Sequence, residues 1–175
     1  MAYNSISALR QQMKPDWRVH MIITNGGSKG NVIPDKAAMD VWVRAPSTED
    51  LKTLTSKVET CVKAAALATG CQHSFTLDGK VFQDMESNGT LAQLYARNLS
   101  SSGFTDFLDT HNTAGSTDMG NVSHVVPSIH PMFKIGTGEV YHTRDFTAVT
   151  NTPASHDATL VVAKAMALHL HRYSD

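Results

Sequence analysis

Charged residues are scarce in this sequence of 175 residues, and neither sign dominates them. Asp, Glu, Lys and Arg make up 18% of the chain, and 15 basic against 16 acidic residues give a net charge of -1. Such a chain has no field that attracts a polyanion and no polybasic surface for a membrane, so we expect neither a nucleic-acid partner nor a membrane partner. Hydrophobic residues make up 41%, which is enough to fold around a core.

Long apolar runs and a cysteine framework are also missing. The longest apolar stretches, such as Ala64 to Ala68, are far shorter than the roughly 20 residues that cross a bilayer. Met1 to Arg10 lacks the apolar core of a signal peptide. The two cysteines, Cys61 and Cys71, cannot staple a scaffold, and we expect both to be reduced and buried. Together these absences predict a cytoplasmic protein.

The first half of the chain predicts a helix, two strands, a second helix and a third strand. Alternation of apolar and polar residues indicates strands, and apolar residues at helical spacing between Ser47 and Gly70 indicate a long amphipathic helix. In chain order the five segments are Asn4 to Met13, Trp17 to Thr24, Met39 to Arg44, Ser47 to Gly70 and Cys71 to Leu77. The first two strands are expected to form an antiparallel ribbon, with helices on one face of the sheet.

The second half has two helical patterns around a polar stretch. We predict helices from Asn88 to Leu99 and from Pro153 onward, the latter presenting Leu160, Ala163, Ala167 and Leu170 on one face. Between them, residues 109–143 are rich in His, Asn, Ser, Thr, Asp and Gly, with a short strand predicted from Met132 to Ile135. Polar stretches of this length between packed elements tend to carry function.

Nine histidines are more than half as numerous as the 15 Lys and Arg residues together. Histidine binds zinc and transfers protons near neutral pH, which makes each one a candidate. Their spacing nevertheless matches no local metal motif, so spacing alone predicts no zinc site. His169 and His171 are more simply read as cations at the end of a helix or as solvated side chains.

Two clusters of residues have the chemistry of a binding site. The first joins Asn25-Gly26-Gly27 to Asn31-Val32-Ile33-Pro34 and, one strand later, Arg44. Glycine lets a backbone approach a ligand closely, Asn supplies a donor and an acceptor, and Arg grips a carboxylate with two hydrogen bonds. The second runs from Gly115 to His124 and continues at Ile129-His130-Pro131 and Tyr141-His142-Thr143. Taken separately, the same residues equally well serve turns and helix caps.

Taken together and in this order, the two clusters resemble the zinc metallopeptidase family M-twenty, which includes aminoacylases, carnosine-type dipeptidases and aminobenzoyl-glutamate hydrolases. The resemblance implies an α+β fold in two parts. Residues 1–77 are similar to the family's ferredoxin-like lid or dimerisation domain, with the order helix, strand, strand, helix, strand. Residues 78–175 are similar to the C-terminal part of its α/β catalytic domain.

The resemblance also implies roles for particular side chains. In the lid, Asn31 and Arg44 match residues that hold the substrate or its carboxylate, and His20 lies where a lid histidine reaches the substrate oxyanion. In the second part, His142 matches the last metal-ligand histidine. The wall of the substrate site is matched by Ser116, Thr117 and Asp118.

For a complete enzyme, the resemblance implies two zinc ions, hydrolysis of dipeptides or N-acyl amino acids, and a homodimer formed through the lid. The family's first half, with its histidine, bridging acid and catalytic Glu, has no counterpart here. No Glu-Glu pair or H-x-D motif occurs in the chain. Because zinc needs three or four protein ligands, we expect this chain alone neither to bind zinc tightly nor to cleave amides.

Three interpretations follow. The chain is the C-terminal part of an amidohydrolase, in which case its second lobe should expose apolar surface where the missing sheet would lie. Alternatively, it is a non-catalytic dimerisation module that pairs with itself or with a full-length relative. The third interpretation is an independent histidine-rich binding protein, which requires residues 78–175 to fold on their own.

Overall fold

The computed structural model describes residues 1–77, 79–104, 107, 115–135, 138 and 140–173, with side chains placed as far as residue 168. The chain divides into two compact units, Met1–Asp84 and Met85–Asp175. In the first unit the elements are α1 (Ala2–Leu9), a 3-10 turn (Arg10–Gln12), β1 (Arg18–Asn25), β2 (Ala38–Arg44) and α2 (Thr48–Thr69). In the second they are α3 (Gly89–Ser100), α4 (Met119–Ser123), α5 (Arg144–Thr150) and α6 (Pro153–Tyr173).

The two strands form the predicted antiparallel ribbon. Val19 pairs with Val43 and Met21 pairs with Val41, so their side chains lie on one face. A register shift between Ile23 and Asn25 marks the end of the regular ladder, next to the loop that joins the strands. For these two segments, the alternation in the sequence correctly predicts both the strands and the face that is buried.

Helix α2 begins and ends at the residues that the sequence predicts. Ser47 Oγ accepts a hydrogen bond of 3.1 Å from the Asp50 N–H, which satisfies one of the free amides of the first turn. At the other end Gly70 adopts a left-handed conformation with φ 67°, and the Cys71 N–H donates to the Ala66 carbonyl over 2.9 Å. This is a Schellman motif, which favours glycine at its left-handed position.

The core of the first unit lies between the helices and the inner face of the ribbon. Its buried side chains are Ile6 of α1, Trp17, Val19 of β1, and Leu54 and Val58 of α2. Burying an aliphatic side chain of this size contributes about 1.5–3 kcal/mol relative to leaving it exposed. Helices on one face of an antiparallel sheet give an α+β fold, as predicted.

The predicted third strand, Cys71 to Leu77, is wrong. These residues are irregular, and the described sheet contains β1 and β2 only. The alternating pattern is present, but a strand also needs an edge with which to pair, and Phe75 instead packs on the core of the first unit. Seven residues beyond Leu77, the Asp84 carboxylate accepts from the Thr48 N–H at 2.9 Å and from Thr48 Oγ1 at 2.6 Å, which ties this part of the chain to the start of α2.

The second unit has a core formed by α3 and α6. Tyr95 and Leu99 of α3 pack against Val162 and Ala165 of α6. Asn98 is also buried, and its Nδ2 donates to the Ala165 carbonyl over 3.2 Å, which fixes the two helices at this point. Both long helices of this unit are confirmed.

Other predictions for the second unit differ from the structure. The strand predicted from Met132 to Ile135 is not formed, and these residues are irregular. Helix α6 buries Val162 and Ala165, whereas the predicted face of Leu160, Ala163 and Ala167 is exposed, and the Leu170 side chain lies outside the described residues. A single apolar pattern does not decide which face meets a partner when both faces of a helix are apolar.

Two further features concern the whole described chain. Both cysteines are free, as predicted, but Cys71 is exposed and Cys61 is half-buried, so the expectation that both are buried is wrong. Cys71 follows directly on the helix end at Gly70, where the chain turns outward. None of the described helices is both long enough and apolar enough to span a membrane.

Candidate functional site

The outer face of the ribbon, opposite the core, carries two of the predicted site residues. His20 of β1 lies directly across from Trp42 of β2, and Arg18 lies across from Arg44. All four side chains are exposed. His20 and Arg44 are thus diagonal neighbours on one face, a separation that long side chains can bridge.

Trp42 and Arg44 form a pair on this face. The Arg44 guanidinium carbon lies 5.9 Å from the centroid of the Trp42 ring, a cation–π arrangement, and the Trp42 side chain is itself 66% exposed. The sequence pattern placed Trp42 on the Arg44 side of the strand but gave it no role. The signal that could have assigned Trp42 to the site was a tryptophan on the outer face of the strand beside an arginine, because exposed aromatic residues mark recognition surfaces.

The two arginines that face each other across the ribbon are held differently. Arg18 Nη1 donates to the Pro15 carbonyl and, over 2.8 Å, to the Trp17 carbonyl. Within the described part of the chain, Arg44 makes no hydrogen bond or ion pair, and only the Trp42 ring holds it. Its guanidinium donors are therefore free for a carboxylate, which Arg binds in a bidentate geometry.

The loop that joins the strands has a fixed shape. Asn25 Oδ1 accepts from the Gly27 N–H over 3.0 Å, and Gly27 has φ 111°. A Cβ atom at this position would lie 2.7 Å from Pro34 Cγ, so a side chain does not fit without a shift. The loop encloses an open hollow of about 350 Å³ lined by Asn25, Gly27, Ser28 and residues 32–36.

Asn31 is exposed in this loop, away from the other lid residues of the predicted site. The loop follows the far end of β1, whereas Arg44 ends β2. A strand of 7 residues, such as β2, is about 23 Å long at about 3.3 Å per residue. The structure therefore brings His20 and Arg44 onto one face, and no described contact brings Asn31 to either of them.

In the second unit, Ser116, Thr117 and Asp118 precede the short helix α4. Thr117 is half-buried, and its Oγ1 accepts from the Met119 N–H over 3.3 Å. Ser116 and Asp118 are exposed, and Asp118 makes no side-chain cap to the helix. These side chains start α4, and the Asp118 carboxylate faces solvent.

His142 has an unusual backbone conformation. Its φ is 63°, which makes it the one non-glycine residue with positive φ among those described. The next residue caps α5, since Thr143 Oγ1 accepts from the Phe146 N–H over 3.2 Å and donates to the Val140 carbonyl over 2.7 Å. The Tyr141 and Phe146 rings meet edge to face, with centroids 5.1 Å apart. These contacts hold the exposed His142 in a conformation that a non-glycine residue seldom adopts.

A zinc centre does not fit the described residues by themselves. Nowhere in the described ranges do three or more His, Cys, Asp or Glu side chains come close enough to hold a metal ion. His124 lies 3.4 Å from Glu86, a contact between residues too far apart in sequence for any local motif to predict, but a pair is short of a metal site. His111 and the side chains of His169 and His171 lie outside the described part. We therefore derive no chemical step through a metal from this chain.

Comparison with known protein families adds to this geometry. The peptidase dimerisation domain family matches residues 2–70, which contain the ribbon and both of its helices. Xaa-Arg dipeptidase from Mus musculus is 44% identical over 172 residues, which cover 96% of this chain and 40% of that protein. Xaa-Arg dipeptidase from Homo sapiens is 43% identical over 172 residues, covering 96% of this chain and 39% of that protein.

A third matched protein is less similar to this chain. N-acetyldiaminopimelate deacetylase from Lactiplantibacillus plantarum is 25% identical over 128 residues, covering 73% of this chain and 33% of that protein. The chain thus spans about two fifths of the length of the dipeptidases that it matches. The match to the dipeptidases includes both units of the structure.

Proposed function

Since this chain belongs to the peptidase family M-twenty, we propose that it forms the lid and the C-terminal catalytic part of a zinc-dependent dipeptidase. Its substrates are dipeptides or related N-acyl amino acids, and its lid pairs two subunits. Residues 1–77 serve as the lid and residues 78–175 as the catalytic part. The observation that carries the proposal is the free guanidinium of Arg44 on the outer face of the ribbon.

Arg44 is the group that receives the substrate carboxylate in this proposal. A dipeptide ends in a carboxylate, and the guanidinium matches it with two parallel hydrogen bonds. Trp42 supports the arginine from one side, and His20 lies across the ribbon from Trp42. A neutral or protonated imidazole has an N–H that can donate to a developing oxyanion, which is the role proposed for His20.

The remaining site residues have narrower roles. In this proposal Asn31 holds substrate from the loop between the strands of the first unit. Within the second unit, a substrate-binding wall is formed by Ser116, Thr117 and Asp118. In this proposal His142 is the single metal ligand that this chain supplies, and its unusual backbone conformation supports a special role for the residue. The other ligands come from polypeptide that these 175 residues do not include, so the chain alone is proposed to be inactive.

The shape of the ribbon supports the proposal of pairing through the lid. The described sheet has two strands, so each strand has one edge without a partner strand, although the Val19 carbonyl of β1 accepts from Arg10 Nη2 over 2.8 Å. Such an edge is a template for a second copy of the same strand. Sedimentation velocity should show the chain as a dimer at micromolar concentration, and a monomer at all concentrations would contradict lid pairing.

The catalytic proposal is tested by supplying the missing polypeptide. The chain is co-expressed with the part of the mouse Xaa-Arg dipeptidase outside the matched region, and hydrolysis of a dipeptide ending in arginine is measured with added zinc. We expect activity from the pair and none from the chain alone. Activity of the chain alone would show that the metal site is complete here, which is contrary to the proposal.

Arg44→Ala gives the sharper test, because Arg18→Ala is a matched control on the same face. Arg44 has free donors, whereas Arg18 is bonded to backbone carbonyls. In the complemented pair, we expect Arg44→Ala to raise KM for the dipeptide about tenfold or more and Arg44→Lys to recover part of the loss. Equal KM values for Arg44→Ala and Arg18→Ala would contradict the proposal that Arg44 binds the substrate carboxylate.

A second function is favoured by one observation. The family match to a dimerisation domain covers residues 2–70, so the chain also fits a non-catalytic module that pairs with itself or with a full-length relative. A dimer in solution together with failure to complement the mouse enzyme would support this function over the first.

A further inference from the structure

Helix α6 has two apolar faces, and only one of them is covered. It is 21 residues long, and between Ala158 and Leu168 its only charged residue is Lys164. A helix that is apolar nearly all round is normally buried on more than one side.

The covered face packs on α3. Val162 is 5% exposed and Ala165 is fully buried, and the Ala165 carbonyl accepts the hydrogen bond from buried Asn98. Ser155, about two to three turns earlier on the same side, is also buried. This side of α6 is therefore already occupied within the second unit.

The other face consists of Leu160, Ala163 and Ala167. At 100° per residue these three positions lie within about 60° of one another and roughly opposite the covered face. Leu160 is 57% exposed, both alanines are exposed, and neighbouring Met166 is 48% exposed. Small residues beside a leucine allow a neighbouring element to approach the helix closely.

We infer that the Leu160–Ala163–Ala167 face of α6 is the surface on which the rest of a longer dipeptidase chain packs. The occupant is an apolar surface of that remaining polypeptide. Two facts support this choice over a second copy of the chain. About three fifths of each matched dipeptidase lies outside the matched residues, and the match to a dimerisation domain lies in residues 2–70, not in α6.

The inference rests on the proposed function only in requiring a longer parent protein, and its test does not depend on activity. The tagged chain is co-expressed with the part of the mouse Xaa-Arg dipeptidase outside the matched region, and the amount that copurifies is measured. Leu160→Glu places a charge in the apolar face, whereas Arg97→Glu changes a charge at an exposed position of α3, away from this face, and serves as the control. Circular dichroism and thermal melting of each variant chain alone check that it still folds.

We expect stoichiometric copurification with the unaltered chain and with Arg97→Glu, and at least a tenfold loss with Leu160→Glu. Equal recovery with Leu160→Glu, or no copurification with the unaltered chain, overturns the inference. If the unaltered chain self-associates and Leu160→Glu abolishes this self-association, the surface is occupied by a second copy of the chain, and the inference is overturned. Copurification that needs Leu160 but gives no hydrolysis would support this surface while contradicting the catalytic proposal.

Discussion

Lys14 Nζ lies 2.7 Å from Asp50 Oδ1, so the segment after α1 is tied to the first turn of α2. The lysine also lies 5.4 Å from the centroid of the Trp17 ring, at the edge of the core. The hydrogen bond from Lys14 holds the pKa of Asp50 below its ordinary value, and the same bond raises the pKa of Lys14. One ion pair thus joins the segment after α1 to helix α2, although the whole ribbon lies between them in the sequence.

This pair predicts a specific dependence of stability on pH. A lowered carboxyl pKa contributes stability above the unfolded value of about 4, and this is lost as pH falls through the folded value. A raised lysine pKa contributes stability below its unfolded value, and this is lost as pH rises through the folded value. The pair should therefore stabilise the first unit from about pH 5 to 10. Melting temperatures of the unaltered chain should fall more steeply below pH 5 than those of Asp50→Asn.

Lys63→Ala is the control for that experiment, because Lys63 pairs with Glu59 one turn earlier on the same helix. An exposed pair of this kind has little effect on stability. If Asp50→Asn and the unaltered chain show the same acid profile, the Lys14–Asp50 pair does not contribute.

The loop between the strands predicts a contrast between two glycines. Gly27→Ala combines positive φ with a Cβ atom 2.7 Å from Pro34 Cγ, whereas Gly30 has open space around it. We expect Gly27→Ala to reduce the free energy of unfolding by about 1–3 kcal/mol and Gly30→Ala to change it by less than about 0.5 kcal/mol. Urea denaturation measures both. Similar effects at the two positions would show that the loop lacks the rigidity described above.

The positive φ of His142 predicts an unusual order of stability among the variants at this position. Glycine tolerates a φ of 63° and valine does not, so His142→Gly should be more stable than His142→Val by about 1–2 kcal/mol. At the exposed Ala148 inside α5 the order should reverse, since glycine is the poorer helix former. Chemical denaturation of the four variants tests this, and valine equal to glycine at position 142 would mean that the conformation is not held.

The two thiols should react at different rates. Cys71 is exposed after the end of α2, whereas Cys61 is half-buried and packs against the core of the first unit. Under native conditions iodoacetamide should modify Cys71 first, and Cys71→Ser should remove the fast phase. Peptide mass spectrometry identifies the modified residue. Faster labelling of Cys61 would indicate that α2 opens locally.

Part of the candidate site was accessible from the sequence. Alternation in both strands placed His20, Trp42 and Arg44 on the outer face, and the antiparallel register then made His20 and Arg44 neighbours. The free state of Arg44 was not accessible, because it depends on which acceptors the fold places near its guanidinium, and only the Trp42 ring contacts it among the described residues. The position of Asn31 at the other end of the ribbon also required the folded loop.

By itself, the sequence determined the elements whose signals are local. The period of two gave the ribbon, the helical period gave α2, α3 and α6, and Ser47 and Gly70 gave the ends of α2, because each signal involves residues within a turn or a strand of one another. Only the tertiary structure decided that Cys71 to Leu77 would not pair as a strand and that Val162, rather than Leu160, would meet α3. Such outcomes depend on which surfaces are available to pack against, and a periodic pattern contains no information about its partner.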